Sequence, residues 1–269
     1  MINLQEVGQH VSDGNAFHLP FHGTIPLGKV FGIQVTKYMV LELVVAALML
    51  AVFIPLARRI AGGRPPRGRL FNMFEAMLVF LRDEVARPAI GRHDADRFLP
   101  FLWSAFFFIL FCNLVGLVPW TGSPTGSLAV TGALALIALG VVLVAGMTKY
   151  GPVKFWLGMV PQMEVPGVMA VFLVPMLLGI EVAGLLIRHM VLAVRLLANM
   201  FAGHLVIAVI VSFIAAAAPT YFILWAGVTV GSVCAAAALS LLELLVAFLQ
   251  AYVFAFLSAM FIGMAVHQH

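Results

Sequence analysis

The segment from 176 to 212, MLLGIEVAGLLIRHMVLAVRLLANMFAGHLVIAVIVS, holds no proline and no Asn-Gly or Gly-Gly pair that would end a helix. It reads as one long helix. Starting near Pro166 and running to Val211, it covers 46 residues, about 69 Å at 1.5 Å per residue. The hydrocarbon core of a bilayer is only about 30 Å thick. A helix of that length kept inside the membrane lies at roughly 60° to the normal, beyond the usual range of about 0 to 40°. Such a slant needs a large partner surface. Pro219 then breaks the chain, and 220–266 repeats the pattern: 47 residues, almost wholly apolar, with one acid, Glu243. The two segments are expected to pair as a hairpin. Small residues in both, Ala198, Ala202 and Gly203 on one side and Ala235 to Ala238 on the other, permit close contact in lipid.

The rest of the composition agrees. Of 269 residues, 63% are hydrophobic and 10% charged, with a mean hydropathy of +1.10, far from the soluble norm of about 25% charged. A water-soluble globular domain, a disordered chain, a collagen-like fibre and a disulfide scaffold are excluded. Stretches 98–119, 120–148, 205–242 and 244–269 contain no Asp, Glu, Lys or Arg, enough for several membrane crossings. Cys112 and Cys234 lie far apart in apolar stretches and read as small buried hydrophobes. The net charge of +4 would suggest nucleic acid in a soluble protein. Here the arginines are bunched beside an apolar span, a pattern of topology rather than of nucleic-acid binding.

Residues 38–57 form the first span, followed by Arg58, Arg59, Arg64, Arg67 and Arg69. The positive-inside rule puts this loop in the cytoplasm and the N-terminus outside. Residues 1–37 have no basic start, continuous apolar core or small-residue cleavage site, so they read as an extracytoplasmic segment and not a signal peptide. Its His10, His18 and His22, at spacings of eight and four, read as solvated loop residues, with a metal site as the alternative. After the loop, Phe71, Phe74, Leu78, Leu81 and Val85 recur at helical spacing among polar residues, as in an amphipathic helix on the cytoplasmic surface of the bilayer. A helix docked on the protein and facing solvent is the alternative. Residues 98–119 cross outward to an uncharged turn, 119–124, with Trp120 at anchoring depth, and 127–147 cross back to Lys149 and Lys154. Two basic loops support one orientation.

Glu181, Arg188, Arg195, His204 and Glu243 lie inside apolar helices, where each charge costs at least about 2.5 to 3.5 kcal/mol on insertion scales. They are functional candidates; buried salt bridges or snorkelling to an interface are the alternatives. At 100° per residue Asn199 shares a face with Arg195, and Glu181 lies about 40° away and about 21 Å back along the axis. His204 points to nearly the opposite side, about 13 Å further on. Glu243 and Gln250, seven apart, share a face of the partner helix. A buried acid and a buried histidine can titrate near neutral pH, whereas arginine stays protonated. Two proton-accepting clusters on either side of a permanent cation describe two half-pathways that must not connect directly.

These residues resemble a known family. Arg195-Leu196-Leu197-Ala198-Asn199-Met200-Phe201-Ala202-Gly203-His204 is similar to the signature of subunit a of the F-type ATP synthase. Leu242-Glu243-Leu244 with Leu249-Gln250-Ala251-Tyr252 resembles the last helix of that family, and Phe111-Cys112-Asn113-Leu114-Val115-Gly116-Leu117-Val118-Pro119 its third. The resemblance extends from about 38 to 266. It implies an all-α integral membrane protein of about five membrane helices plus an interfacial amphipathic helix. The membrane hairpin would cover 98–147, and a long tilted hairpin over 160–266 would wrap a rotating ring of c subunits. It also implies partnership with the subunit b peripheral stalk and the remaining synthase subunits in a cell inner membrane. No metal, no cofactor and no catalysis by the chain alone are expected. By the same resemblance Arg195 matches the essential arginine facing each c-ring carboxylate, and Glu181 the acid of the cytoplasmic half-channel. Asn199, His204, Glu243 and Gln250 match positions of the other half-channel and the arginine's surroundings. Some members exchange the acid and the histidine of the His204 and Glu243 pair. The main rival class is a secondary ion transporter or channel, which would show inverted repeats and broken helices; a purely structural membrane anchor and a haem-binding protein, for which only His189 and His204 lie deep enough, are the others.

Overall fold

The computed structural model describes residues 16–19, 23–26, 29–30, 33–62, 68–118, 122–159, 167–219 and 221–267. Five helices are long and apolar enough to cross a membrane: α1 (Lys37–Ala61), α4 (Ala95–Gly116), α5 (Leu128–Tyr150), α7 (Gly167–Ala217) and α8 (Phe222–Val266). Between them lie α2 (Arg69–Phe80), α3 (Arg87–Ile90) and α6 (Pro152–Gly158). The fold is thus the expected all-α membrane architecture, ending in the long hairpin of α7 and α8. Two short ribbons precede it. β1 (Ala16–Leu19) pairs antiparallel with β2 (Gly23–Pro26), and β3 (Lys29–Val30) with β4 (Ile33–Gln34). Two-stranded ribbons of this length are marginal alone, and 1–37 was read without elements.

The helix ends follow local chemistry. Thr36 opens α1, its hydroxyl accepting from the Met39 amide at 3.4 Å, and Gly62 closes it beside exposed Arg58 and Arg59. Arg64, Arg67, Pro119, Trp120 and Pro166, on which topology and boundaries leaned, lie outside the described residues. The amphipathic helix is α2, but it passes into a π-helical turn, Leu81–Ala86, before α3. That turn buries Leu81, Val85 and Ala86, while α2 buries none of its residues within the chain. The carboxylate of Asp83, in the turn, is held by Arg82 at 3.0 Å and Arg87 at 2.6 Å. α7 admits Pro175 in its interior and extends six residues past the expected end, a proline that membrane helices tolerate.

The chain divides into two compact units. One joins residues up to Arg64 with Phe107–Thr131 and Arg195–Ala251. In it the Phe53 and Phe107 rings lie 4.6 Å apart, fastening α1 to α4. Gly116 makes room for Ser123, because a Cβ there would collide with the serine side chain. The other unit joins Pro65–Phe106, Gly132–Val194 and Tyr252–His269. There Trp103 donates to the Leu78 carbonyl at 3.1 Å, and the Tyr150 hydroxyl to the Val266 carbonyl at 2.7 Å. The Lys149 ammonium meets the Asp94 carboxylate at 2.7 Å and holds that carboxyl below its usual range. Gly263 lets α8 approach the Ala89 backbone, which any side chain would strike.

Candidate ion pathway

Four apolar side chains of α7, Leu185, Leu192, Leu196 and Met200, form a buried stripe at helical spacing. His189 is the polar member of that stripe, 2% exposed. Val191, Val194, Ala198 and Ala202 are exposed on the other side, and Arg195 stands among them, also exposed. The most apolar stretches of α7 and α8 are each 11% buried within the chain, against 56% for α4. Those stretches therefore leave most of their residues outside the chain's buried core.

Arg195, Asn199, His204, Glu243 and Gln250 fall in the first unit. Arg195 makes no ion pair among the described residues. Asn199, one turn on, is half-buried, as are His204 and Glu243. The closest approach is at Gly203. The Glu243 carboxyl of α8 rests against the place a Cβ would fill there, next to His204 in the chain. No hydrogen bond or ion pair joins His204 and Glu243 among the described residues. The Nε2 atom of His204 is enclosed without a partner, and so is the amide nitrogen of Gln250, a residue 5% exposed. An unmet buried polar group costs about 1 to 3 kcal/mol. Groups left in that state mark functional or hydrated sites.

α8 is held near Glu243 and Gln250 from outside the hairpin. Asn113, fully buried at the end of α4, donates through Nδ2 to the Ala247 carbonyl at 3.3 Å. Asn113 belongs to a motif singled out in the sequence, but its partner 134 residues away could not be read there. Lys37, the first residue of α1 and 5% exposed, was also missed, because a lysine beside Tyr38 at a helix start looks like an ordinary interfacial anchor.

Glu181 lies in the other unit, half-buried, and Arg188 is exposed. His189 is there too. Its Nδ1 faces the Leu185 carbonyl at 2.8 Å, its ring lies 5.1 Å from that of Phe261, and its Nε2 is enclosed without a partner. Only its depth in an apolar run distinguishes it in the sequence.

A polytopic all-helical protein whose last two helices carry two guanidiniums, two carboxyls and two histidines inside apolar surface is, by class, an ion-translocating membrane subunit. Residues 39–263 match the ATP synthase A chain family, and the chain belongs to it. It is similar to ATP synthase subunit a of Myxococcus xanthus, 40% identical over 240 residues, covering 88% of this chain and 75% of that one. The subunit a of Chloroherpeton thalassium is 38% identical over 264 residues, 96% of this chain and 75% of that one. That of Chlorobium phaeobacteroides is 35% identical over 263 residues, 95% and 73%. The chain is accordingly a proton-translocating membrane component of the synthase and not a catalytic subunit by itself.

Proposed function

We propose that the chain forms two offset half-channels that exchange protons with carboxylates on a ring of c subunits, with Arg195 as the fixed cation between them. The observation that carries this reading is Arg195 itself, exposed on an outward apolar face and without an ion pair among the described residues. In lipid that charge would cost at least about 2.5 to 3.5 kcal/mol. A passing carboxylate offsets the cost and is kept ionised by the guanidinium. Because arginine does not release its proton, it blocks direct transfer between the half-channels.

Glu181 serves the half-channel open to the cytoplasm, and His204, Glu243 and Gln250 the other, with Asn199 in the arginine's surroundings. The basic residues after α1 and α5 support a cytoplasmic C-terminus and an outside N-terminus in a bacterial cytoplasmic membrane. Subunit b would dock from the peripheral stalk. Replacing Arg195 with alanine tests the reading: coupled ATP synthesis should vanish while the complex assembles. Wild-type coupled synthesis in that variant overturns it.

A further inference from the structure

In the first unit, the turn between α4 and α5 contains a buried chain of hydrogen bonds. Ser123, Thr125 and Asn113 are all 2% exposed or less. The Thr125 hydroxyl donates to Asn113 Oδ1 at 2.7 Å, and Ser123 Oγ stands 2.7 Å from Thr125 Oγ1. Asn113 Nδ2 donates in turn to the Ala247 carbonyl at 3.3 Å. The direction of this chain is set by counting protons. An amide oxygen only accepts, so the one hydroxyl proton of Thr125 is used on Asn113. The Ser123 proton then faces Thr125 at 2.7 Å and is shared with the Cys112 carbonyl at 3.3 Å. The order of donation runs Ser123 to Thr125 to Asn113 to the backbone of α8, and aligned bonds of this kind polarise one another.

The end point decides what the chain can do. Ala247 lies four residues after Glu243 and three before Gln250, so its carbonyl lies between the two, about one turn from each. It is fully buried. The Asn113 amide can hold that carbonyl only with its NH2 group toward α8; turned over, it would set oxygen against oxygen. The Ala247 carbonyl, which can only accept, sets that orientation, and the Thr125 hydroxyl braces it by giving its proton to the amide oxygen.

We infer that Thr125 is a positioning residue for proton transfer: by fixing the Asn113 amide it holds the stretch of α8 between Glu243 and Gln250 in place. This rests on the reading of Glu243 as a half-channel group. Neither Thr125 nor Ser123 would touch the proton.

The test uses the whole synthase in membranes stripped of the catalytic head, with passive proton conduction normalised to the content of this subunit. Thr125→Val keeps the shape and removes the hydroxyl. Conduction should fall roughly fivefold, the weight of one net hydrogen bond, with subunit content normal, and Thr125→Ser should restore it. In an Asn113→Leu background Thr125→Val should add no further loss, since the two act through one another. Wild-type conduction in Thr125→Val overturns the inference, as does a loss additive with Asn113→Leu. Reduced subunit content with normal conduction per copy also overturns it, since that is the result of packing alone. Glu243→Gln separates the two levels. If it conducts normally, the half-channel reading fails whatever Thr125 does; if it is slow while Thr125→Val is normal, only the inference fails.

Discussion

Gly203→Ala probes the contact between the two long helices most directly. A Cβ at 203 would come 2.9 Å from Cδ and 3.2 Å from Cγ of Glu243 and overlap Oε1. Ordinary carbon contacts lie at about 3.5 to 4.0 Å, so the carboxyl has to retreat by about 1 Å. The obstacle is the end of a flexible side chain, which can rotate away. Alanine is also the better helix former by about 0.8 to 1.0 kcal/mol, and assembly should survive. Proton transfer is less forgiving, since a misplacement of about 1 Å in a positioned group can cost about 10²-fold. Passive proton conduction in stripped membranes, normalised to subunit content, is expected to drop by about ten- to a hundredfold. Glu243→Asp withdraws the carboxyl by one bond of about 1.5 Å, so the pair Gly203→Ala with Glu243→Asp should conduct better than Gly203→Ala alone. Wild-type conduction in Gly203→Ala would refute the placement of Glu243 in the path. A double variant no better than the single would refute the steric account.

Arg195→Lys should also lose most coupled synthesis, because a shiftable point charge does not replace a guanidinium; synthesis near wild type would count against the fixed-cation role. In a Cys234→Ala background, a cysteine at exposed Gly62 should react with an impermeant thiol reagent only from the cytoplasm, and one at exposed Leu128 only from outside; reversed labelling overturns the orientation. Leu128 suits this better than Gly122, whose φ of 69° and nearby Lys37 and Tyr38 disfavour a side chain. Asp94, lowered by its bond to Lys149, contributes stability above its unfolded pKa and loses it as the pH falls through its folded value. Asp94→Asn should therefore lower the thermal midpoint of the purified protein at pH 7, with the gap closing in acid, and equal midpoints at pH 7 would exclude that contribution.

Much of the fold was readable because the bilayer imposes a simple grammar. Charge-free stretches mark spans, and a long proline-free run has no alternative to a helix. Hence α7 and α8 are legible as one hairpin from the sequence. The π turn at Leu81–Ala86 was not, since apolar spacing across 71–85 fits an unbroken α-helix about as well. The extra residue shows only where Leu81, Val85 and Ala86 all turn inward. The ribbons over 16–34 escaped for a similar reason: strands of two to four residues carry too few alternations to register.

The site divides along the same line. Arg195, His204 and Glu243 were legible because a titratable group in an apolar helix needs a reason, and the seven-residue spacing put Glu243 and Gln250 on one face. Their surroundings were not legible, because they depend on atoms brought from far along the chain: the Asn113 amide on Ala247, the Glu243 carboxyl on Gly203. The division also shows how the helix serves two purposes. α7 uses one stripe, Leu185, His189, Leu192, Leu196 and Met200, for packing inside the chain, which leaves an exposed face beside it. Arg195 stands on that face among exposed alanines and valines. On the reading proposed for Arg195, the cost of that charge in lipid is offset by a partner that brings the opposite charge. Such a partner can move past the arginine without disturbing the buried stripe of α7.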